Sequence, residues 1–414
     1  MASGLPGGDY HALLGLHHGM RLRRYLNGQT GGSTVVAGAP TVESWPQRQD
    51  DQRLLRESLA CLDPLPDALL FMYGALFRDR PHMRGMFPGS IHVQRDRLTA
   101  CFLALIDALD APGDVVPAVA ELGRDHRKLG VLPQHYAVFA DALAEALRTA
   151  GGEHWRDAYH EAWLRLYWFT ARLMIEAAEE FTTDPPYHTG EVVSHERRRP
   201  DLAVLRVRTA RAYRYRAGQH ATLESPLLPR AWRCYSMATP PTGDGLLEFH
   251  VRARGVGGLS DVLVERTGPG DRLRVGPARG RLSTGPLTGA AGVLLVAGGT
   301  GLAPIRALLG ALAREAAPPR TVLFAGARTG ADLYDLDSLT AAARAAPWLS
   351  VVPAVAAGPA YPFDEGTLPE VVARHGPWPG HHAVLAGPPA MVAALNRLLP
   401  DLGIPAGHVQ FDPE

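Results

Sequence analysis

At 414 residues the chain exceeds what one hydrophobic core usually organises, so two or three domains are expected. Its 46% hydrophobic and 20% charged residues suit domains with sizeable cores, and 42 Lys plus Arg against 42 Asp plus Glu exclude a global field that draws the protein to nucleic acid or an anionic membrane. Cys61, Cys101 and Cys234 lack the spacing of a disulfide framework or zinc site, and neither a signal peptide nor a run of about 18 apolar residues is present, so a cytoplasmic protein without a membrane span, working on small molecules, is expected.

Residues 1–48 are rich in Gly, Ser and Thr, as in GQTGGSTVVAGAPT, with one helical stretch near His11 to Tyr25, and read as a flexible extension. From Asp50 to Phe181 apolar residues recur with the helical period of about 3.6, as in Ala68, Leu69, Met72, Tyr73 and Leu76 or Ala162, Leu166, Phe169 and Leu173. Prolines 64, 66, 81, 88, 112, 117 and 133 fall between these stretches, as helix boundaries should, which predicts an all-helical domain over 49–183. TTDPPYHTG then breaks the pattern and reads as a linker.

Short β-branched segments follow, among them EVVSHE, LAVLRVRT, GQHATLES and LEFHVRARG, and predict a small antiparallel β-barrel over 184–287. From Val293 strands such as VLLVA, TVLFAGA, VVPAV and HAVLAG alternate with helical stretches, which predicts an α/β parallel-sheet domain over 288–414.

Chemistry concentrates first in the C-terminal half. VLLVAGGTGLAPIRALLGAL joins a buried strand to a helix through Gly298, Gly299, Thr300 and Gly301, with Pro304 in the helix; glycines there let backbone N–H groups approach a pyrophosphate at a helix N-terminus. Upstream stand AGQH with Gln219, RCYS with Arg233, Tyr235 and Ser236, and GVGGLS with Gly257 and Ser260; downstream stands AGPPAMV with Gly387, Pro388 and Met391. This order resembles the ferredoxin-NADP reductase superfamily over residues 187–414. The resemblance implies that Arg233 pairs with a flavin phosphate, Tyr235 lies against the isoalloxazine, Ser236 hydrogen-bonds near its N5, and Gly257 and Ser260 complete the phosphate site. An arginine fork and an aromatic face suit those tasks.

Two departures stand out: Ala386 occupies a position often held by cysteine, and the chain ends VQFDPE, where Phe411 fits the aromatic that covers the flavin while Asp412 replaces a glycine. Arg328, after the second strand in FAGARTGADLYD, suits a 2′-phosphate, yet the GARTxxDLYD pattern resembles NADH-accepting reductases; NADH is favoured over NADPH.

In the helical half, any one of 17 histidines is more often a surface or core-satisfied residue than a ligand, so position has to decide. His126 in ELGRDHRKLGVLPQHY, with Tyr136 ten residues on, resembles the proximal stretch of bacterial flavohaemoglobins and single-domain haemoglobins. FMYGALFRDRPHMRGMF resembles their distal region, with Tyr73 as distal tyrosine and Phe87 packing on the porphyrin, and HVQRDRLTACF brings Gln94 and Leu98 over the iron. A tyrosine hydroxyl and a glutamine amide are donors that stabilise negative charge on bound oxygen, and a leucine keeps the pocket dry. Ungapped matching puts Ala178 where the family has a glutamate beside the proximal histidine; the neighbouring Glu179 is about 100° around the helix.

Together these features resemble the flavohaemoglobins. The resemblance implies a globin fold, an FAD-binding β-barrel and an NAD-binding α/β domain. Its cofactors are haem b with His126 on the iron, FAD, and NADH or NADPH. The implied activity is a nitric oxide dioxygenase: electrons pass through FAD to haem, and NO is oxidised with O2 to nitrate by a protein expected to be a monomer. Two other readings stay open, an NADH-dependent flavin or quinone reductase or oxidase with a modulatory or degenerate globin, and a haem-based gas sensor or binding protein.

Overall fold

The computed structural model describes residues 45, 47–110, 115–180, 185–358 and 361–412. Nearly all of the expected 1–48 extension, its helical stretch included, lies outside the described residues. The chain divides into two compact units, 1–186 with 413–414 and 187–412.

The first unit is helical: α1 (Arg48–Ser58), α2 (Leu65–Asp79), α3 (His92–Asp107), α4 (Val115–His126), α5 (Pro133–Gly151) and α6 (Asp157–Glu179), with 3-10 turns between several of them. Helix α2 shows why. Leu65, Ala68, Leu69, Met72, Tyr73 and Leu76 are buried along one face, and each large apolar side chain so buried contributes about 1.5–3 kcal/mol. Pro64, Pro81 and Pro88 sit at the ends of α-helices or between them, as the reading put them, and Pro112 lies outside the described residues, but Pro66, Pro117 and Pro133 lie inside helices, in the first turn, where the missing N–H costs nothing. Helix α1 is pinned to α6 by the buried Asp51 carboxylate, which accepts from both Arg165 Nη2 at 2.7 Å and Trp45 Nε1 at 2.7 Å. Trp163, fully buried, donates to Ser58 Oγ at 2.9 Å and meets Phe102 edge-on.

The second unit begins with a six-stranded antiparallel sheet: β1 (His188–Arg199), β2 (Leu202–Thr209), β3 (His220–Ser225), β4 (Leu228–Ser236), β5 (Leu246–Arg252) and β6 (Arg272–Val275), ordered β4-β3-β6-β1-β2-β5. A bridge between Met237 and Phe249 brings the two edges together into the expected barrel, closed over Val192, Leu205, Leu247 and Phe249. Helix α7 (Leu259–Glu265) follows β5.

The parallel sheet comprises β7 (Gly292–Gly298), β8 (Thr321–Ala327), β9 (Leu349–Val355), β10 (Asp364–Glu365), β11 (His381–Ala386) and β12 (Val409–Gln410), with helices α8 (Leu302–Leu312), α9 (Leu336–Ala345), α10 (Leu368–Arg374) and α11 (Pro389–Leu398). Its order, β10-β9-β8-β7-β11-β12, runs outward from β7 in one direction and then returns to its other side. The C-terminal ends of β7 and β11 therefore flank a topological switch point, where open α/β sheets take ligands.

Candidate functional site

In the helical unit the backbone of α4 determines what His126 can do. Its Nδ1–H donates to the Leu122 carbonyl at 2.8 Å, one turn back, which leaves Nε2 as the nitrogen with a free lone pair. Burial pushes its pKa down, further favouring the neutral, ligating form. Gly123, one turn before it, is required by the crossing with α6: a Cβ there would stand 2.3 Å from the Met174 carbonyl oxygen. Gly130, at φ 74°, ends the short 3-10 extension of α4.

Tyr73, 2% exposed on α2, packs edge-on to Phe87 with centroids 5.5 Å apart, and Phe77 joins both. Burial, and then the nearby Cys101, push its hydroxyl well above the ordinary tyrosine range, so it is a donor at any working pH. Gln94 and Leu98 are one turn apart on α3 and both half-buried. Tyr136, on α5, is half-buried, and burial raises its pKa to about 12; its carbonyl accepts from the Tyr167 hydroxyl at 2.7 Å.

Apolar side chains along α3 and α4, including Leu98, Leu103, Val116 and Leu122, stay half-exposed although they pack on the core. A planar apolar group with one metal-binding position fits that surface and His126. The residues present thus suit a haem.

Glu179 is exposed and Ala178 offers no polar group. Sequence reasoning passed over Glu176, whose Oε2 is buried with no hydrogen-bond partner and whose pKa burial raises, helped by Glu179 and opposed by Arg172. It lies two residues beyond the Met174 crossing.

In the barrel, β4 carries RCYS against β3, pairing Ala221 with Tyr235 and Leu223 with Arg233. Arg233 donates one bond to the Trp232 carbonyl at 2.8 Å, which leaves most of its five donors for another partner. Tyr235 and Ser236 are half-buried.

The glycine loop after β5 is organised by Asp261, a residue the motif reading missed. Its carboxylate accepts from the backbone N–H groups of Arg254, Gly255, Val256, Gly257 and Gly258 at 2.6–3.2 Å. Burial opposes its charge, but these bonds outweigh it and hold the carboxyl below its usual range. A carboxylate inside the loop means that the backbone N–H groups of Arg254 to Gly258, Gly257 among them, are engaged by Asp261. Gln219 also has a structural engagement, accepting from the Arg216 N–H at 2.8 Å and donating to the Gly280 carbonyl at 3.4 Å.

At the switch point two motifs distant in sequence meet. Ala386 pairs with Ala297 across β11 and β7, and Gly301 follows so closely that a Cβ would stand 2.2 Å from the Ala386 carbonyl oxygen. Gly298 lies under Pro388 and Met391, and Gly387, at φ 149°, lies against the Gly298 backbone. Gly299 and Thr300 form the half-exposed turn between strand and helix, and Pro304 is buried in α8. Arg328 is exposed just beyond β8. Phe411 packs on the apolar cluster of the parallel-sheet domain that includes Phe324 and Leu385.

Three family models match the chain: Globin over residues 70–171, Oxidoreductase FAD-binding domain over 189–283 and Oxidoreductase NAD-binding domain over 295–397. The chain is 36% identical over 231 residues to the ferredoxin–NAD(P)+ reductase component of the naphthalene 1,2-dioxygenase/salicylate 5-hydroxylase systems of a Ralstonia species, covering 54% of this chain and 67% of that one. It is 22% identical over 281 residues to a flavohemoprotein of Bacillus subtilis, covering 64% and 69%. The crystal structure of a flavohemoglobin from Malassezia yamatoensis with bound FAD and heme superposes with a TM-score of 0.70 at 18% identity, over 87% of this chain and 98% of that one, a likeness of fold.

Proposed function

The chain belongs to the ferredoxin–NAD(P)+ reductase family and carries a globin domain ahead of its FAD- and NAD-binding domains, the architecture of a flavohaemoglobin, and from that premise we propose that this NAD(P)H-dependent oxidoreductase is a nitric oxide dioxygenase. The observation that carries the reading is the His126 ring, held through Nδ1 so that Nε2 is the free ligand, on a globin fused to a reductase.

In this reading the helical domain spans 49–183, the flavin domain 184–287 and the nicotinamide domain 288–414. Bound flavin converts the hydride of NADH or NADPH into single electrons, and bound haem supplies the iron that O2 and NO meet. His126 holds that iron. Tyr73 and Gln94 would donate hydrogen bonds in the gas pocket, Leu98 and Phe87 would exclude water, and Tyr136 would support His126. Arg233 and Ser260 take the flavin phosphates, Tyr235 and Ser236 the ring, with Gln219 and Gly257 shaping the pocket and Phe411 near the ring's other face. Gly298, Gly299, Thr300, Gly301, Pro304, Gly387, Pro388 and Met391 form the nicotinamide crevice, with Arg328 at its adenosine end. Cys61, Cys101 and Cys234 form no disulfide, which suits a reducing cytoplasm. Among the described residues no single helix is long and apolar enough to cross a membrane.

The greater identity to a reductase component than to a flavohemoprotein favours, as a second reading, a general NADH-driven reductase whose globin modulates electron flow. One experiment separates them. Purified protein is reduced anaerobically with NADH and its spectrum followed, then NO is added in air and nitrate counted against NADH. A Soret band that shifts, with about one nitrate per electron equivalent beyond background, two for each NADH, supports the dioxygenase. Bleached flavin with no Soret band after haem supplementation, or NADH loss that NO does not accelerate, rejects it.

A further inference from the structure

His220, Cys234 and Asp412 meet at one edge of the barrel. Pairing of β3 with β4 sets His220 opposite Ser236 and Thr222 opposite Cys234, so the thiol and the imidazole stand one diagonal step apart on the same face. The Cys234 side chain hydrogen-bonds the His220 ring. His220 Nδ1 in turn lies 3.5 Å from Asp412 Oδ2, and Asp412 Oδ1 accepts from the Arg281 N–H at 2.7 Å. Gly280, at φ 106°, makes room, since a Cβ there would lie 2.5 Å from Asp412 Oδ2 and 3.0 Å from His220 Nδ1. Gln410 adds a reciprocal pair of bonds to the Ser283 backbone, at 3.2 and 3.3 Å. The segment Gln410–Asp412 is thus fastened to the barrel beside an exposed thiol.

The order thiol, imidazole, carboxylate is the one that stabilises a thiolate. Burial works against charge on His220, but its bonds to Asp412 and Cys234 prevail and raise its pKa to about 10, so the ring is cationic at neutral pH. Cys101 is the contrast: burial alone pushes its thiol up to about 11.

We propose that Cys234 is an oxidant-sensitive thiolate, activated by His220 and Asp412, whose oxidation by a hydroperoxide loosens the C-terminal segment. The thiolate sulfur attacks one peroxide oxygen; an S–O bond forms, the O–O bond breaks, and sulfur gives up two electrons. The leaving oxygen takes the proton of His220, so the products are a sulfenic acid, water or an alcohol, and a neutral imidazole. Neutral His220 no longer pairs as a cation with Asp412, which weakens one of the fastenings of the chain end.

The test treats the full-length holoprotein with hydrogen peroxide, traps sulfenic acid with dimedone, and quantifies Cys61, Cys101 and Cys234 by mass spectrometry. Cys234 is expected to be trapped about tenfold faster than Cys61. Asp412→Asn and His220→Gln slow trapping at Cys234 toward the Cys61 rate, and hydrogen exchange over 408–412 rises after oxidation. Trapping at Cys234 no faster than at Cys61 in the unmutated protein overturns the proposal whether or not the variants fold. So does trapping in folded Asp412→Asn that matches the unmutated protein.

Discussion

Tyr334 and His250 are joined by a 2.7 Å hydrogen bond between the phenol and Nδ1, one residue on the parallel-sheet domain and the other on β5 of the barrel. His250 Nε2 faces Glu248 Oε1 at 3.3 Å, so the ring carries its proton there and accepts from Tyr334. Asp332, two residues before Tyr334, accepts from Arg252 and pairs with Arg199, both barrel residues, at 3.1 Å. The DLYD segment is therefore a clamp between the flavin and nicotinamide domains. Tyr334→Phe keeps the ring packing and removes one buried bond. The expected loss is about 1–3 kcal/mol, read from the urea midpoint of the full chain, and hydride transfer from NADH to flavin should slow while FAD content is unchanged. A midpoint equal to that of the unmutated protein refutes the clamp.

Glu248 gives this clamp a pH dependence. Burial raises its pKa, but hydrogen bonds from His250 and Arg206 outweigh it and bring the value down to about 2 from the ordinary 4.5. A group with a depressed folded pKa contributes stability that is fully present above its unfolded value and is lost as pH falls through the folded one. The unmutated protein should thus lose stability between about pH 4.5 and 2. Glu248→Gln is expected to be less stable at pH 7 by about 2 kcal/mol and to show a flatter decline over that acid window, measured by denaturant titration at several pH values. An equally steep decline in the variant assigns the acid sensitivity elsewhere.

Helices, barrel and parallel sheet were legible because their periods of 3.6 and 2 survive in the sequence, and the meeting of the turns around Gly301 and Gly387 because close backbone approach there leaves no room for a side chain. The clamp was not. On β5, Glu248, His250 and Arg252 alternate with the buried Phe249 and Val251, a pattern that reads as a polar outer face toward solvent. Glu248 and His250 are instead 4% and 5% exposed, because the parallel-sheet domain covers that face. Asp261 was hidden for a related reason. A carboxylate three residues past a glycine pair looks like an ordinary helix-capping residue, and only the fold of the loop shows five amides converging on it. The DLYD pattern was noticed, but as a mark of coenzyme choice.

Those five amides make Asp261 the most consequential single residue of the flavin loop. Asp261→Ala leaves the N–H groups of Arg254 to Gly258 without their common acceptor, and the loop must open to hydrate them. FAD is expected to dissociate on dilution at least about tenfold more readily than from the unmutated protein, a loss of about 1.4 kcal/mol of binding. Recovery of free flavin fluorescence after gel filtration measures it. Undiminished FAD retention shows that Arg233 and Ser260 hold the cofactor without an ordered loop.

Gly301→Ala separates nicotinamide binding from flavin binding. The added methyl meets the Ala386 carbonyl oxygen at 2.2 Å, and backbone, unlike the end of a side chain, has little room to retreat. Parting the two turns is expected to cost about 1–3 kcal/mol of stability and to raise the NADH concentration needed for half-maximal flavin reduction, with FAD content preserved. Stopped-flow bleaching of the flavin at graded NADH gives both quantities. An unchanged NADH dependence removes these glycines from the coenzyme site.

His126→Ala tests the helical domain without disturbing the other unit. Among the described residues the imidazole hydrogen-bonds the Leu122 carbonyl of its own helix, so its loss costs one helix-end hydrogen bond, about 1 kcal/mol, and not the fold. The variant should retain its far-ultraviolet dichroism, keep FAD and bleach it with NADH, yet lack a Soret band after haem is offered in excess, and lose NO-dependent nitrate formation. Imidazole added to the solution should restore part of the band by filling the position that Nε2 leaves. A Soret band of full intensity in the variant without added imidazole would mean that another residue holds the iron, and the proximal assignment would pass to it.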